Sequence, residues 1–284
     1  MKKEPQSVST QAVARERLVQ SITALEAFGT RFAYASNAAE VTRWIADQFI
    51  AFGHAENTIH FQPFEMKFGN GHNVLCPADP GRLPGLVLCA HYDSKSELAS
   101  VQKPNRAAPG ADDNATGVAV LLEAARLLRG MELSTNILFA AFGGEEQRLA
   151  GSKKCARVAH RENWPIDLVV NLDMLAWQHK SHPNLIRIEH DKGNVVEAND
   201  VPSRQAADRM TAIAIQHGLE VERTGIINSD YMPFEKKGYT CIGVYEGGNN
   251  PNRHQSSDKL ATLNMDHLTR VAQVVVDFLI QEAS

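Results

Sequence analysis

Apolar residues follow two different spacings along the chain, and their alternation predicts the fold. Helical spacing, with apolar positions three and four residues apart, occurs over residues 18–28, 41–52, 116–128, 203–217 and 268–280. Short continuous apolar runs, which are typical of strands buried on both faces, occur over residues 86–90, 137–142, 168–172 and 241–245. Because strands alternate with helices, the sequence predicts an α/β layered fold around a largely parallel sheet.

Acidic and imidazole side chains follow the predicted strands at the points where the strands end. They are His91 and Asp93 after the first strand, Glu145 and Glu146 after the second, Asp173 after the third, and Glu246 and His254 after the fourth. A further acidic cluster, Asp112-Asp113-Asn114, precedes the helix at 116–128. Ligands of open parallel sheets bind outside the carboxyl ends of the strands. One such residue is weak evidence, but this set at a single edge predicts a shared site.

The adjacent glutamates Glu145 and Glu146 raise a question, because two like charges repel at the end of a buried strand. Neighbouring side chains on an extended backbone point in opposite directions. We therefore expect the two carboxylates to have separate roles. Gly143 and Gly144, directly before them, give the backbone freedom to turn there.

Composition indicates an ordinary globular protein. The chain has 284 residues, of which 43% are hydrophobic and 22% charged. Because it contains no internal repeat and no long linker, we expect a single domain over residues 1–284, with residues 1–14 as a flexible N-terminal segment.

Charge, hydropathy and cysteine spacing exclude several classes of function. With a formal net charge of −4, the chain has no excess of basic residues of the kind that binds nucleic acid. No run approaches the roughly 18 apolar residues that a membrane span needs. The first residues are basic but are not followed by an apolar stretch, so we expect a cytoplasmic protein rather than one with a signal peptide. The four cysteines are far apart, which argues against a thiolate metal site.

The types of side chain at the predicted edge favour particular metals. Imidazole and carboxylate ligands without thiolate suit zinc, and also manganese or cobalt. The number of these side chains exceeds what one tetrahedral zinc ion needs. Two ions would use more of them, and two ions about 3.5–4 Å apart need a bridging carboxylate.

At these residues the chain resembles the co-catalytic di-zinc aminopeptidases, whose family also contains the bacterial leucine aminopeptidases, glutaminyl cyclases and glutamate carboxypeptidases. The matching stretches, in the family's order, are HYDS (91–94), PGADDNATG (109–117), FGGEEQRLAGS (142–152), NLDM (171–174), SDYMPF (229–234) and HQSSD (254–258). The resemblance covers roughly residues 15–283. It implies a three-layer α/β/α sandwich on a mixed, largely parallel sheet.

The resemblance also implies a set of metal ligands for two zinc ions per chain. Asp113 would bridge the two ions. His91 and Asp173 would complete the ligands of one ion, and Glu146 and His254 those of the other.

The same resemblance implies catalytic roles for three further residues and a supporting role for a fourth, Asp258. Glu145 would be the general base on the water between the zinc ions. Asp93 would orient the imidazole of His91. Tyr231 stands where many relatives have histidine, and it would either donate to the substrate carbonyl or pack in the interior. Asp258 would orient His254 or cap a turn.

The predicted activity is hydrolysis of the N-terminal peptide bond of a peptide or aminoacyl substrate with a free α-amine. A glutaminyl cyclase is a first alternative. Two features disfavour it: no tryptophan precedes His254, where glutaminyl cyclases carry one, and the segment after Glu146 is short. A di-zinc carboxypeptidase or amidohydrolase is a second, because pocket loops decide which end of a substrate is accepted. A catalytically inactive interaction module is a third, and the presence of all five ligand residues disfavours it. The sequence leaves the oligomeric state open.

Overall fold

The computed structural model describes residues 12–284, which form seven α-helices and eight β-strands. The helices are α1 (Arg15–Ala27), α2 (Ala38–Ala51), α3 (Gly117–Leu128), α4 (Ala150–Arg161), α5 (Asp200–Gln216), α6 (Met232–Glu235) and α7 (Met265–Ala283). The strands are β1 (His60–Met66), β2 (Gly69–Pro77), β3 (Leu86–His91), β4 (Ile137–Phe142), β5 (Leu168–Asp173), β6 (Leu185–His190), β7 (Glu220–Gly225) and β8 (Cys241–Glu246). Within this described part, no helix combines the length and apolar content needed to cross a membrane.

All eight strands belong to one sheet, in the order β1-β2-β4-β3-β5-β8-β6-β7. The central strands β4, β3, β5 and β8 pair in parallel, as do β6 and β7. The pairs β1-β2, β2-β4 and β8-β6 are antiparallel. The predicted mixed, largely parallel sheet is therefore confirmed.

Alternate side chains of the central strands pack into two separate apolar cores, one on each face of the sheet. In β3, Leu86 and Leu88 join the larger core, which contains residues of α1, α2, α3, α5 and α7. Val87 and Cys89 join the smaller core, which contains residues of α4 and α6. Burial on both faces explains why these strands are continuously apolar in sequence. The arrangement is the predicted three-layer α/β/α sandwich.

The register of the central strands brings their carboxyl ends to one edge of the sheet. His91 at the end of β3 is level with Phe142 at the end of β4. Asp173 at the end of β5 is level with Tyr245 in β8. The loops that follow these strands therefore meet at the same edge, where the sequence predicts the polar site.

The elements predicted from apolar spacing are present, with ends shifted by no more than one helical turn. Strands β1, β2, β6 and β7, and helices α4 and α6, were not predicted. β1 and β7 form the two edges of the sheet and are partly exposed, so neither is continuously apolar. The short helix α6 has only four residues, too few for a periodic signal.

The N-terminal segment that we expected to be flexible divides into two parts. Residues 1–11 lie outside the described residues. The amide of Val13 donates to Gln273 Oε1 on α7, and that of Ala14 donates to Glu123 Oε1 on α3, both at 2.9 Å. The last residues of the expected segment are thus held against the folded protein.

His267 on α7 is an uncharged histidine inside the larger core layer. Its side chain is fully buried, and neither ring nitrogen has a hydrogen-bond partner within residues 12–284. Burial, assisted by the nearby charge of Arg270, lowers the pKa of His267 to about 3 from its ordinary value of 6.5. The unfolded chain binds this proton more readily than the folded protein. The contribution of uncharged His267 to the free energy of unfolding is therefore fully present above the ordinary pKa, and it declines as the pH falls through the window between the two pKa values.

We predict that His267→Leu removes this part of the pH dependence. The free energy of unfolding of the wild type should fall by about 2 kcal/mol more than that of the variant between about pH 7 and pH 5. Urea unfolding at the two pH values measures the difference. The control is His60→Leu, a change at an exposed histidine of β1. Parallel pH profiles for the wild type and His267→Leu would contradict the prediction.

Candidate active site

Five side chains from five separate segments meet at the carboxyl edge of the sheet. His91 Nε2 lies 3.2 Å from Asp113 Oδ1 and 3.5 Å from Asp173 Oδ1. His254 Nε2 lies 3.1 Å from Asp113 Oδ2 and 2.6 Å from Glu146 Oε1. The structure therefore brings together all five predicted ligand residues, in two groups that share Asp113.

The two groups have the composition and spacing of metal sites. Each contributes one imidazole nitrogen and two carboxylate oxygens that lie within 4.8 Å of one another. Asp113 Oδ2 and His254 Nε2 are buried and lie close to each other, yet neither is aligned for a hydrogen bond with another described residue. Such atoms are expected where lone pairs face a common cation, since an unpaired buried polar atom is unfavourable. The donor set fits zinc, which takes imidazole and carboxylate ligands.

The loop that carries Asp113 is held by a buried carboxylate from another segment. Asp258 Oδ1 accepts the main-chain N–H of Asp112 at 2.9 Å, and its Oδ2 accepts that of Asp113 at 3.0 Å. Asp258 is itself buried. Of the two roles that the sequence left open for Asp258, the structure supports a backbone cap, here on the loop before α3.

Asp112, adjacent to Asp113, has a different function in the fold. Its carboxylate accepts the main-chain N–H of Ala176 at 2.9 Å, that of Trp177 at 3.2 Å and the side-chain amide of Asn250 at 2.9 Å. It therefore ties the loop before α3 to the segments that follow β5 and β8. This role was not predicted, because the sequence alone does not distinguish the two neighbouring aspartates.

The segment that carries Glu145 and Glu146 turns sharply after β4, as its two glycines predict. Gly144 has a φ of +69°, a conformation that favours glycine. A Cβ atom on Gly143 would collide with the hydroxyl of Tyr92. Asp93 then accepts the main-chain N–H groups of Glu145 and Glu146, at 3.0 and 3.2 Å.

The contacts of Asp93 differ from the predicted ones in one respect. The Nδ1 of His91 lies 3.0 Å from the main-chain oxygen of Asp93 and 3.7 Å from its carboxylate. Residue 93 thus orients the imidazole chiefly through its backbone. Its carboxylate fixes the glutamate-bearing turn instead.

Asp173 is positioned by a short chain of hydrogen bonds. The Asn171 side-chain amide donates to Ser229 Oγ at 2.9 Å, and Ser229 Oγ donates to Asp173 Oδ2 at 2.7 Å. Ser229 opens the SDYMPF stretch, so the sequence identified the stretch but not this contact. The other oxygen of Asp173 remains directed at His91.

Tyr231 lies in the interior beside the site and is 2% exposed. Its hydroxyl donates to Glu189 Oε2 at 2.9 Å and accepts the main-chain N–H of Ile227 at 3.2 Å. Of the two roles that the sequence left open for Tyr231, these contacts correspond to packing. Donation to a substrate would require the bond to Glu189 to break first.

Negative charge exceeds positive charge around the cluster. Burial raises the pKa of Glu145, which the neighbouring Asp230, Asp173 and Glu146 raise further although His91 opposes them. Contacts with Asp113 and Glu146 raise the pKa of His254 to about 9. Cations bound by the cluster would relieve this excess of carboxylates.

Two buried acids near the cluster have no predicted role. Both carboxylate oxygens of Asp230 lack a hydrogen-bond partner within residues 12–284. Burial, which the charges of Asp93 and Asp173 reinforce although His91 opposes it, raises the pKa of Asp230 to about 7. Glu246, which we grouped with the strand-end residues, is fully buried; burial and the adjacent Asp112 raise its pKa to about 12. It lies outside both groups of three potential ligands.

Two curated relatives are similar to this chain over nearly its whole length. A probable leucine aminopeptidase of Arthroderma otae is 25% identical over 278 residues, which cover 94% of this chain and 72% of the relative. A probable zinc metalloprotease of Phaeosphaeria nodorum is 25% identical over 332 residues, which cover 93% of this chain and 66% of the relative.

Solved structures share the fold at lower identity. The LapA aminopeptidase of Legionella pneumophila aligns with a TM-score of 0.80 at 20% identity, covering 96% of this chain and 72% of that one. The glutaminyl cyclase of Porphyromonas gingivalis aligns with a TM-score of 0.77 at 20% identity, covering 95% of this chain and 99% of that one.

The family itself is identified by a match over most of the chain. Residues 73–279, which include all five clustered side chains, match Peptidase family M28. The resemblance inferred from the HYDS, PGADDNATG and FGGEEQRLAGS stretches is confirmed. The chain therefore belongs to Peptidase family M28, and the predicted class of enzyme, a zinc-dependent metallopeptidase, is confirmed at the level of the family.

Proposed function

We propose that this protein is a two-zinc aminopeptidase that removes the first residue from peptides with a free α-amine. The observation that carries the proposal is the pair of His–carboxylate groups that share Asp113. The relative from Arthroderma otae, named a probable leucine aminopeptidase, supports the same activity.

The five clustered side chains would hold the two zinc ions. His91 and Asp173 would bind one, Glu146 and His254 the other, and Asp113 both. Bound zinc would lower the pKa of a water molecule and polarise the scissile carbonyl. The protein's own contribution is to fix the ligands, which the bonds from Asp258, Ser229 and Asp93 achieve.

Glu145 is the residue that we propose as general base. Its neighbour Glu146 faces His254, and Asp93 holds the main-chain N–H groups of both glutamates. The Glu145 carboxylate would take a proton from the attacking water and later deliver it to the amine of the departing peptide. The new C–O bond and the broken C–N bond then balance without any further reactant.

The free α-amine is expected to matter because it can be held in two ways at the edge of the cluster. It can bind a zinc ion through its lone pair, or, when protonated, donate to a nearby carboxylate. An acetylated nitrogen carries no charge and is a poor ligand. We therefore expect cleavage to be confined to the first peptide bond.

We predict that N-acetylation of a good substrate abolishes nearly all cleavage. The test compares aminoacyl anilides, their N-acetylated forms and a peptide with N-terminal glutamine. Release of the first residue from unblocked substrates alone supports the proposal. Equal turnover of blocked and free substrates would indicate an endopeptidase or amidase. Cyclisation of the glutamine peptide without hydrolysis would indicate a glutaminyl cyclase, whose fold the chain shares.

We predict different losses for the two adjacent glutamates. Glu145→Gln cannot accept a proton, so turnover should fall by roughly 10²–10⁴-fold while two zinc ions stay bound. Glu146→Gln replaces an anionic ligand by an amide, so one zinc should bind more weakly and excess zinc should restore part of the activity. Zinc content and turnover are measured together for both variants. Retention of both zinc ions by Glu146→Gln and loss of metal by Glu145→Gln would reverse the assignment.

We predict that Asp258→Asn weakens zinc binding without removing a ligand. An amide can accept only one of the two main-chain N–H groups, so Asp113 loses part of its support. Zinc affinity should fall by roughly 10–100-fold, and added zinc should restore activity. The control is Asp266→Asn, an exposed residue that pairs with Arg15 on the surface. Unchanged zinc affinity in Asp258→Asn would refute the positioning role.

A further inference from the structure

A cavity of about 400 Å³ opens beside the clustered side chains. Its lining includes Glu145, Glu146 and His254 from the candidate active site. The cavity also receives five basic side chains, which are Lys95, Arg148, Lys153, Lys236 and Arg253. The opening next to the site is therefore strongly basic, although the whole chain carries a net charge of −4.

The basic side chains of this cavity fall into two sets. Lys95 lies 3.6 Å from Glu146, and Arg253 lies 3.4 Å from Asp113, so both face carboxylates of the cluster. Arg148, Lys153 and Lys236 form no ion pair with a carboxylate within residues 12–284. Their charges are free to meet an anionic group that enters the cavity.

A second cavity, of about 330 Å³, adjoins the first and continues its basic lining. The two cavities share Leu149, Lys153 and Lys236. The second adds Arg157 and Lys237, and no acidic side chain lines it. We call the five side chains without a carboxylate partner the basic strip: Arg148, Lys153, Arg157, Lys236 and Lys237.

The local structure explains why the basic side chains of the strip lie on the same side of the molecule. Lys153 and Arg157 are four residues apart on α4, which places them on the same helix face. Lys236 and Lys237 follow directly after α6, which packs beside α4. The rest of the lining of the second cavity, between these basic side chains, is apolar and is formed by Leu149, Ala156, Met232 and Pro233. Such a surface suits a chain that combines carboxylates with apolar stems.

We propose that the substrates are peptides with acidic residues directly after the scissile bond. This inference rests on the proposed aminopeptidase activity, which leaves a single residue on one side of the cleaved bond. A strip that extends over two adjoining cavities exceeds the length of one residue, so it fits the departing peptide. Aspartate and glutamate side chains of that peptide are the anions that complement the strip.

The first test compares peptides that share their first residue and carry a C-terminal amide. Their second and third residues are both glutamate, both glutamine or both lysine. We expect kcat/KM to be roughly fivefold to tenfold higher for the glutamate peptide than for the glutamine peptide, and lowest for the lysine peptide. Added salt should reduce this preference, because exposed charges are screened. Equal values for the three peptides would overturn the inference.

A second arm separates side-chain carboxylates from a free C-terminus. The glutamine peptide is also tested with a free C-terminal carboxylate. If kcat/KM rises only for this free-carboxylate peptide, and not for the glutamate peptide, the strip recognises the C-terminal carboxylate rather than acidic side chains. That result would overturn the inference.

Variants locate the effect on the strip. The double variant Lys153→Gln, Lys236→Gln should lose most of the ratio between the glutamate and glutamine peptides. The matched control, Lys192→Gln with Lys259→Gln, changes two exposed lysines outside both cavities and should keep the ratio. A ratio that survives the strip variant would overturn the inference.

Binding measurements distinguish this inference from the proposed function. Calorimetry with the zinc-loaded Glu145→Gln variant measures the affinity of each peptide without turnover. If no peptide is cleaved by the wild type but the glutamate peptide still binds more tightly through the strip, the aminopeptidase proposal fails and the preference for acidic chains stands. If cleavage occurs but neither affinity nor kcat/KM depends on charge, only the preference fails.

Discussion

The active-site edge depends on one recurring interaction, in which a buried carboxylate accepts two successive main-chain N–H groups of another segment. Asp258 holds the amides of residues 112 and 113, Asp112 those of 176 and 177, and Asp93 those of 145 and 146. Charge-assisted bonds of this kind are about twice as strong as neutral ones. Each bond pair crosses between loops that share no strand, so the loops form one connected frame. The positions of Asp113, Glu145 and Glu146 follow from that frame rather than from the sheet alone.

A buried cation complements these carboxylates. Arg31 is 2% exposed, and its guanidinium donates to the main-chain oxygens of Leu25, Tyr92, Pro109 and Gly110. Burial lowers its pKa to about 10, and the charges of Asp258, Asp93 and Asp113 oppose that shift. The planar fork of arginine reaches several acceptors at once, which a lysine ammonium does not. Arg31 thereby joins the end of α1 to the loops after β3 and before α3 and offsets part of the negative charge.

The extent to which the fold follows from sequence depends on burial. Strands β3, β4, β5 and β8 are predictable because both of their faces are covered, and each is a continuous apolar run. The outer strands β1 and β7 are partly exposed, and their polar positions conceal them. Helix α4 buries a narrow stripe of small residues, Cys155, Ala156 and Ala159, beneath several basic ones, so its apolar signal is weak. The helices that cover the sheet can be predicted from the sequence only where their apolar faces are wide.

The candidate site shows the same limit at the level of single residues. The sequence contains two acidic doublets, Asp112-Asp113 and Glu145-Glu146, and residue type alone does not assign different roles to their members. The structure separates the first doublet by its hydrogen bonds: Asp112 accepts N–H donors through both oxygens, whereas among the described residues no donor is aligned for a hydrogen bond with Asp113 Oδ2. A buried carboxylate that is satisfied by N–H groups needs no cation, and one that faces other carboxylates and imidazoles does. That difference in partners, which arises from segments distant in sequence, separates the acid that supports the frame from the acid that we propose as a metal ligand.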